Sequence, residues 1–407
     1  MIDLARIPRR WILGITVGVA LLLVWRVVVT GSAQLLEGSS TTDPDRVVAP
    51  LDASTPDRVW RERLARNPTD YVALVVLGLQ LERQGKIDEA RSAMREAMRL
   101  APASRQLLLE AAAFHLRVGE EAPALAILRR AVDLYPEVGN SAWPVFVAVL
   151  DAGRGGEFFA LAAKDNPDWW PAFFGHACAK AVDVNAVERV FAARAATGMV
   201  TPGERSCVVG RLQRENRWAN AYQVWLNSLP AEQRQRVPYV FNGGFELPLT
   251  NLGFDWLTPT LDGVAADAQP IDGATGRRAL RVEFVNKRWA GPPVLQYLML
   301  FPGKYELEGR SRSDGLETWL GVQWGLYCVA GAAAGAEARQ LARTDRFLVA
   351  SEWESFREAF VVPKDCPVQL LRLELANPRR DADTPGNVAA RLRGTVWFDD
   401  FRVRSLD

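Results

Sequence analysis

One segment of the C-terminal half, 319–328, carries side chains that could bind a ligand. Every second residue is apolar, as expected of a strand with one face in a core: Leu320, Val322, Trp324, Leu326 and Cys328. Trp319, Gln323 and Tyr327 then face the opposite side, where two glycines of the segment leave space. Two aromatic rings with an amide between them can stack on the apolar faces of sugar rings. The pattern therefore predicts a glycan-binding surface.

Residues elsewhere in the chain could complete this surface. Arg310, Arg372 and Glu374 have the groups to hydrogen-bond sugar hydroxyls, and Trp289 could lie at the rim in a loop. The alternative is that the two aromatic rings pack beneath a loop or against the helical part of the chain, which would leave no platform for a sugar.

The chain has two histidines, and neither belongs to a motif typical of a catalytic or metal centre. His115 occupies a packing position in an apparent helix, and His176 and Cys178 are two residues apart, which does not place them on one helix face. The sequence has no glycine-rich phosphate loop, nucleophile elbow or histidine-bearing triad. A glycosidase needs only two carboxylates, and no pair stands out. We predict that the protein is not an enzyme, with a glycan-active enzyme as an alternative.

The charge balance bears on nucleic acid as a partner. The 49 basic residues and 48 acidic residues nearly cancel. Nucleic-acid-binding proteins carry a basic excess on one face. The composition therefore argues against nucleic acid as the main partner.

Small residues and prolines between positions 71 and 138 recur at an offset of 34. The pairs are Gly78 and Ala112, Gly85 and Gly119, Ala90 and Ala124, Ala97 and Ala131, and Pro102 and Pro136. Small residues let two helices approach closely, and a glycine between the helices supplies the turn. The pattern predicts stacked helical hairpins.

This pattern resembles that of the tetratricopeptide repeat (TPR) family, whose unit has 34 residues. One unit is filled by Leu74, Leu77, Gly78, Leu81, Ala90, Met94, Ala97 and Pro102, and the next by Leu108, Ala111, Ala112, His115, Ala124, Leu128, Ala131 and Pro136. Stacked repeats need about three or more hairpins for stability. We therefore expect an α-helical TPR-type solenoid over 54–236, with less regular copies outside 71–138.

The first helix of each predicted hairpin presents apolar side chains to the concave side of the solenoid. They are Val72, Val75, Leu79, Leu109, Ala113 and Leu116. TPR domains that grip an acidic C-terminus present Lys and Asn there instead. The resemblance thus implies a protein partner that inserts an apolar helix or an extended hydrophobic segment. The alternative is that neighbouring repeats or the C-terminal domain cover these residues.

The N-terminal region has the features of a membrane anchor. Arg6, Arg9 and Arg10 precede an apolar run over 11–29, which approaches the roughly 20 residues that a bilayer span requires. We expect a cytoplasmic N-terminus at 1–10, a transmembrane anchor at 11–30 and a tether at 31–53. A signal peptide cleaved near residues 31–33 is the alternative. Both alternatives export the rest of the chain, and the first predicts a single-pass inner-membrane protein with its bulk in the periplasm.

Export makes disulfides chemically possible for the four cysteines. Cys328 closes one apparent strand and Cys366 opens another, so we expect a disulfide between them. Nothing in the sequence brings Cys178 and Cys207 to bonding distance, so a bridge is less expected there. Free buried thiols are the alternative for both pairs.

After Pro238 the helical period stops and short alternating runs begin, for example Leu280, Val282 and Phe284. About eight such runs separated by turns predict an antiparallel β-sandwich over 237–407. Several motifs recur in the same order in jelly-roll carbohydrate-binding modules of families four and nine, which this region resembles: 242–246 (NGGFE), Trp256, 276–282, Gln296, 302–305 (PGKY) and 397–400 (WFDD).

The resemblance also implies a structural metal ion. In such modules one acidic residue near the first strand and one near the last often hold calcium, which would assign this role to Glu246 and Asp400. The alternative is that Asp399 and Asp400 merely end a strand at the surface.

The sequence thus predicts a multidomain α plus β protein: one N-terminal transmembrane helix, a TPR-type solenoid and an antiparallel jelly-roll β-sandwich. We expect a non-catalytic, membrane-anchored periplasmic adaptor that binds protein through the repeats and polysaccharide through the sandwich. Proteins of this build resemble accessory components of bacterial exopolysaccharide synthesis and export. The main alternative is a structural assembly protein whose sandwich contacts only protein.

Overall fold

The computed structural model describes residues 56–287, 291–318, 320–329, 339–376 and 392–406. The predicted anchor and tether, together with Trp289 and Trp319, lie outside the described residues. Within the described ranges, no helix combines the length and the apolar character that crossing a bilayer requires.

The first part of the described chain is helical, as the repeat pattern predicts. The α-helices are α1 Asp57–Arg66, α2 Tyr71–Arg83, α3 Ile87–Leu100, α4 Arg105–Arg117, α5 Glu121–Leu134, α6 Gly139–Asp151, α7 Gly156–Asp165, α8 Trp170–Lys180, α9 Val184–Ala196, α10 Pro202–Arg214, α11 Trp218–Leu226 and α12 Ala231–Arg234. A short 3-10 helix, Pro136–Val138, precedes α6.

The helical hairpins repeat at the predicted offset. Helix α4 begins 34 residues after α2, and α5 begins 34 residues after α3. The side chains of Asp70 and Ser104 accept hydrogen bonds from backbone N–H groups in the first turns of α2 and α4 and so cap them. Gly85 and Gly119 join the helices of each hairpin with φ of +77° and +81°, a conformation that glycine adopts readily.

Small residues set the close approach within the first hairpin. An added Cβ on Gly78 would lie 3.4 Å from the carbonyl oxygen of Ala90, an ordinary contact distance, so α2 and α3 approach closely at this position. A core of Val75, Leu81, Ala90, Met94, Ala97, Leu107, Ala111 and Phe114 joins this hairpin to α4. The recurring alanines Ala90, Ala97, Ala124 and Ala131 are fully buried, whereas Gly85 and Gly119 lie in exposed turns.

Helices α8 and α10 are joined by a disulfide between Cys178 and Cys207, with 6.2 Å between their Cα atoms. The sequence pattern favoured no bridge for this pair, and that expectation was wrong. The helices that carry the two cysteines are separated in sequence by α9, so only tertiary packing can bring the thiols together. No free cysteine occurs among the described residues.

The C-terminal part forms two antiparallel sheets. The strands are β1 Val264–Pro270, β2 Arg278–Val285, β3 Leu295–Leu298, β4 Gly303–Glu317, β5 Val322–Cys328, β6 Arg339–Arg343, β7 Glu354–Val362, β8 Gln369–Leu375 and β9 Arg393–Ser405. The five-stranded sheet has the order β1-β2-β9-β4-β7, and the four-stranded sheet has the order β3-β8-β5-β6. A core of apolar residues that includes Trp256, Trp324, Phe398 and Phe401 draws on both sheets. The predicted change from helical to strand structure after Pro238 is present.

The chain divides into two compact units, one ending at Cys207 and the other beginning at Val208. The second unit therefore contains α11 as well as both sheets. Helix α11 places Tyr222 and Trp225 against Phe254, with ring centroids 4.9 and 5.6 Å apart respectively. The disulfide between Cys328 and Cys366, the pair expected from the sequence, also lies in this unit.

Candidate functional site

The face of the four-stranded sheet that points away from the core carries a cluster of polar side chains. Along β5, Val322, Trp324 and Leu326 belong to the core, as the sequence alternation predicts. Gln323 and Tyr327 therefore point to the outer face. Antiparallel pairing places Glu374 of β8 beside Gln323, and Arg372 beside Gly325 of β5. Four of the residues predicted to bind glycan are thus brought together: Gln323, Tyr327, Arg372 and Glu374.

The Glu374 carboxylate is the centre of this cluster. The Tyr327 hydroxyl donates to it and lies 2.7 and 2.9 Å from its two oxygens. The Gln323 amide donates to Glu374 Oε1 at 3.1 Å, and Arg372 Nε donates to Oε2 at 2.9 Å. Three donors from two neighbouring strands hold the carboxylate in one orientation, and hydrogen bonds of this charge-assisted kind are strong.

Gly325 makes room for this arrangement. An added Cβ at this position would lie 2.5 Å from Cε2 of Tyr327 and 2.9 Å from Oε1 of Glu374. The tyrosine ring therefore folds back along its own strand over the glycine, and the Arg372 guanidinium lies 4.0 Å from the centroid of that ring. The glycine, the ring and the guanidinium form one packed layer on the outer face.

The electrostatics of the cluster keep the tyrosine hydroxyl protonated. Burial raises the pKa of Tyr327, and the hydrogen bond to Glu374 and the charge of that carboxylate raise it further, against a smaller opposing effect of Arg372. The hydroxyl is therefore a hydrogen-bond donor throughout the neutral pH range.

The expected bare aromatic platform is not what the structure shows. Tyr327 is only 8% exposed and Gln323 only 4%, because the ring is covered by Arg372 and the amide is bonded to Glu374. The side chains that reach solvent are those of Arg372, 32% exposed, and Glu374, 19% exposed. Trp319, the other ring of the predicted platform, and Trp289 lie outside the described residues. The face thus offers hydrogen-bonding groups, with Tyr327 in a supporting position.

The face has two aromatic residues that the sequence analysis missed. Tyr297 of β3 pairs with Leu370 of β8, which in turn pairs with Tyr327 of β5, so all three lie in one row on the same face. The ring of Trp218, in α11, lies 4.9 Å from that of Tyr297. Alternation in β3 could have revealed Tyr297, because its neighbours Gln296 and Leu298 point into the core. No local pattern could have placed a helical tryptophan there.

Arg310 does not belong to this cluster, which corrects the expectation from the sequence. It lies on β4 in the five-stranded sheet, opposite Asp399 of β9. Its guanidinium lies 5.0 Å from the ring centroid of Trp353 and donates to Thr275 Oγ1 at 2.9 Å. The order of strands is a property of the whole fold, so the sequence could not assign β4 and β5 to different sheets.

The predicted metal ligands Glu246 and Asp400 contact the same short segment, 275–278. Glu246 Oε1 accepts hydrogen bonds from the backbone N–H groups of Arg277 and Arg278 at 2.7 and 2.9 Å, which lower the pKa of the carboxyl. Asp400 accepts a hydrogen bond from the Thr275 hydroxyl. Both residues are hard oxygen donors, so they fit the ligand preference of calcium.

Side chains alone would not complete such a metal site. No group of three or more His, Cys, Asp or Glu side chains in the described part of the chain is placed to hold a metal ion, so backbone carbonyl or hydroxyl oxygens would have to supply the other ligands. Strand β9 continues to Ser405, and Asp399 is fully buried, so the two aspartates do not end a strand at the surface.

The predicted protein-binding groove corresponds in part to a pocket between α2 and α4. Its lining residues are Tyr71, Val72, Val75, Val76, Ser104, Gln106, Leu107 and Glu110. Val72 and Val75 are thus in it, whereas Leu79 packs against the neighbouring core. Leu109, Ala113 and Leu116 lie half-buried on α4 and do not line the pocket. Glu110 lines the pocket as well, although the sequence pattern did not point to it.

No protein-family model matches the chain, and no curated protein matches it. Among solved structures, the C-terminal region resembles folds of carbohydrate-binding modules. A structure described as "CBM4 structure and function" is 14% identical, with 41% of this chain and 99% of that chain covered and a TM-score of 0.30. The CBM22-1 xylan-binding domain from Paenibacillus barcinonensis Xyn10C is 14% identical, with 37% of this chain and 86% of that chain covered and a TM-score of 0.26. TmCBM61 in complex with beta-1,4-galactotriose is 15% identical, with 42% of this chain and 99% of that chain covered and a TM-score of 0.27. Similarity at this level does not extend to a ligand.

Proposed function

We propose that the chain is a non-catalytic adaptor that binds glycan on the outer face of its four-stranded sheet and protein through its helical hairpins. The observation that carries the glycan-binding role is the fixed Glu374 carboxylate, held on that face by Tyr327, Gln323 and Arg372. Sugar hydroxyls both donate and accept hydrogen bonds. The carboxylate and the guanidinium beside it offer the matching groups in a fixed geometry.

The position of the cluster supports this role over a purely structural one. Burying a carboxylate and a guanidinium in the core costs free energy. On the outer face, the side chains of Arg372 and Glu374 remain partly exposed and can reach a ligand. Tyr297 lies in one row with Tyr327 across the same face and is partly exposed, so one aromatic side chain borders the polar groups. Convergent polar groups beside aromatic surface are typical of small-molecule sites.

Binding to a glycan array that holds neutral and acidic polysaccharides tests the proposal. We expect the full chain to bind at least one of these polysaccharides. Arg372→Gln and Glu374→Gln should each lower its affinity about 10-fold or more, since a hydrogen bond to a charged group contributes roughly 1.5–3 kcal/mol.

Arg357→Gln is the matched control, because Arg357 lies on the outer face of the other sheet and is 67% exposed. Its affinity should equal that of the unaltered chain. A blank array, or equal affinity for all four proteins, contradicts the proposed site.

One observation favours a second candidate function, that of an assembly protein whose sandwich contacts only protein. Every residue of β5 is buried, including those on the outer face. Because β5 exposes so little of its surface on this face, the face could also pack against the surface of another protein. The same array separates the two, because this alternative predicts no glycan signal.

We further propose that the bulk of the chain lies outside the cytoplasm, behind an inner-membrane anchor at 11–30, and takes part in exopolysaccharide synthesis or export. Two disulfides that use all four cysteines support an oxidising compartment, since such bonds are rare in the cytosol. Thiol labelling of denatured protein from intact cells tests this: we expect no reactive thiol, whereas four labelled cysteines would contradict export.

We also propose that Glu246 and Asp400 bind a structural calcium ion. The ion would link residues near the start and the end of the β-sandwich through the segment they both contact, and its chemical contribution there would be charge neutralisation and cross-linking.

A further inference from the structure

The pocket between α2 and α4 has apolar walls and a single carboxylate. About 370 Å³ of space between these walls is not filled by protein atoms, and this figure includes open solvent. Val72, Val75 and Val76 supply one wall from α2, and Leu107 lies opposite on α4. Glu110, one helical turn after Leu107, is the only acidic residue among the lining side chains.

Glu110 has no bonding partner among the described residues. The cation with the strongest effect on it is Arg117, but that guanidinium donates to both oxygens of Glu82, at 2.6 and 2.8 Å. One guanidinium, that of Arg117, stands beside the two carboxyl groups of Glu82 and Glu110, and it pairs with Glu82. The pocket therefore presents one uncompensated negative charge against an apolar surface.

Such a group is unfavourable in the free protein. Burial raises the pKa of Glu110, with Arg117 opposing that rise and Glu82 adding to it. Glu110 is partly buried, and without a partner its carboxylate lacks the hydrogen bonds that would offset its desolvation. A cation supplied from outside would remove that deficit, so the pocket has a built-in preference for one kind of occupant.

We propose that this pocket binds an apolar peptide segment of another protein that carries one lysine or arginine, placed opposite Glu110. The inference rests on the proposed protein-binding role of the helical hairpins. The apolar part of the segment lies against the valines of α2, and its cationic group pairs with the carboxylate. Both contacts are needed, because the walls alone do not distinguish one apolar segment from another.

Selection from a random peptide library displayed on phage tests the proposal. The full chain and its Glu110→Gln variant are each used as bait, and the selected peptides are synthesised and their affinities measured by fluorescence anisotropy. We expect apolar peptides with one basic residue, bound by Glu110→Gln about 10-fold or more weakly. The substitution keeps the shape of the side chain, so the variant should fold.

Glu157→Gln is the control, since Glu157 is an exposed residue of α7 outside the pocket, and it should bind the peptides as the unaltered chain does. Peptides without a basic residue, or affinity unchanged in Glu110→Gln, overturn the cation pairing and leave the protein-binding role standing. A library that yields no enriched peptide overturns both.

Discussion

Gly325 is a position at which the proposed glycan site can be disturbed through the ends of two side chains on the outer face. Its φ lies outside the left-handed region, so alanine can adopt the same backbone conformation. The added methyl group would lie 2.5 Å from Cε2 of Tyr327 and 2.9 Å from Oε1 of Glu374. Since ordinary carbon contacts are about 3.5 Å or longer, the tyrosine ring must move by about 1 Å.

The magnitude follows from what that displacement breaks. The atoms in the way are the far ends of two side chains on the outer face, which can move without disturbing the core. We therefore expect Gly325→Ala to cost about 1 kcal/mol of folding stability, at the low end for overpacking. The hydrogen bond between Tyr327 and Glu374 should be lost, and glycan affinity should fall about 10-fold or more.

Three measurements check this expectation. Isothermal titration with the polymer found on the array gives affinity, and urea unfolding gives stability. NMR of tyrosines labelled at Cζ gives a readout that needs no ligand, because the pKa of Tyr327 should fall once the ring leaves Glu374.

Gly175→Ala is the control, since an added Cβ at Gly175 meets nothing within 4 Å. Unchanged glycan affinity in Gly325→Ala, together with an unchanged tyrosine titration, would refute the role assigned to the cluster.

Three further predictions concern stability. Glu204→Leu leaves the buried Arg194 guanidinium, 2% exposed, without the carboxylate that it contacts at 3.1 Å. We expect a loss of about 3–5 kcal/mol of folding stability, measured by urea unfolding with hydrogen exchange of the helical residues as the readout. Although burial alone would raise the pKa of Glu204, its hydrogen bonds and the nearby Arg194 charge lower that pKa. The stability that these interactions confer is present above pH 4.5, the ordinary pKa, and is lost as the pH falls through the lowered pKa of the folded protein. A loss of less than about 1 kcal/mol of folding stability in Glu204→Leu would contradict this reasoning. Replacing Cys178 and Cys207 by serine should cost about 3–4 kcal/mol, because the bond closes a loop with a sequence separation of 29; an unfolding midpoint equal to that of the unaltered chain would be evidence against it. When calcium is added back to chelator-treated protein, the melting temperature of the β-sandwich should rise, and Asp400→Asn should abolish that rise. Equal melting temperatures with calcium and with chelator would argue against a bound ion.

The helical hairpins were accessible from the sequence because their signals are local. The offset of 34 between Gly85 and Gly119 marks two turns that the structure places between paired helices. Alternation along β5 likewise assigned Trp324 to the core and Tyr327 to the other face. Each signal depends on neighbours within a few residues, which sequence patterns report well.

What the sequence could not reveal depends on distant parts of the chain. Tyr327 is buried on the outer face because Arg372, 45 positions away, covers its ring. Arg310 is on the other sheet because β4 pairs with β9 and not with β5. Likewise, the bond between Cys178 and Cys207 needs two helices to pack that are not consecutive in the chain. Strand order and helix packing decide all three, and neither has a local signature.

A crystal structure of the full chain with an oligosaccharide of the polymer retained on the array tests the central claim most directly. We predict sugar hydroxyls within about 2.7–3.2 Å of the Arg372 guanidinium and the Glu374 carboxylate, on the outer face of the four-stranded sheet. A sugar bound beside Trp353 and Arg310 on the other sheet, with the Glu374 face empty, would contradict it.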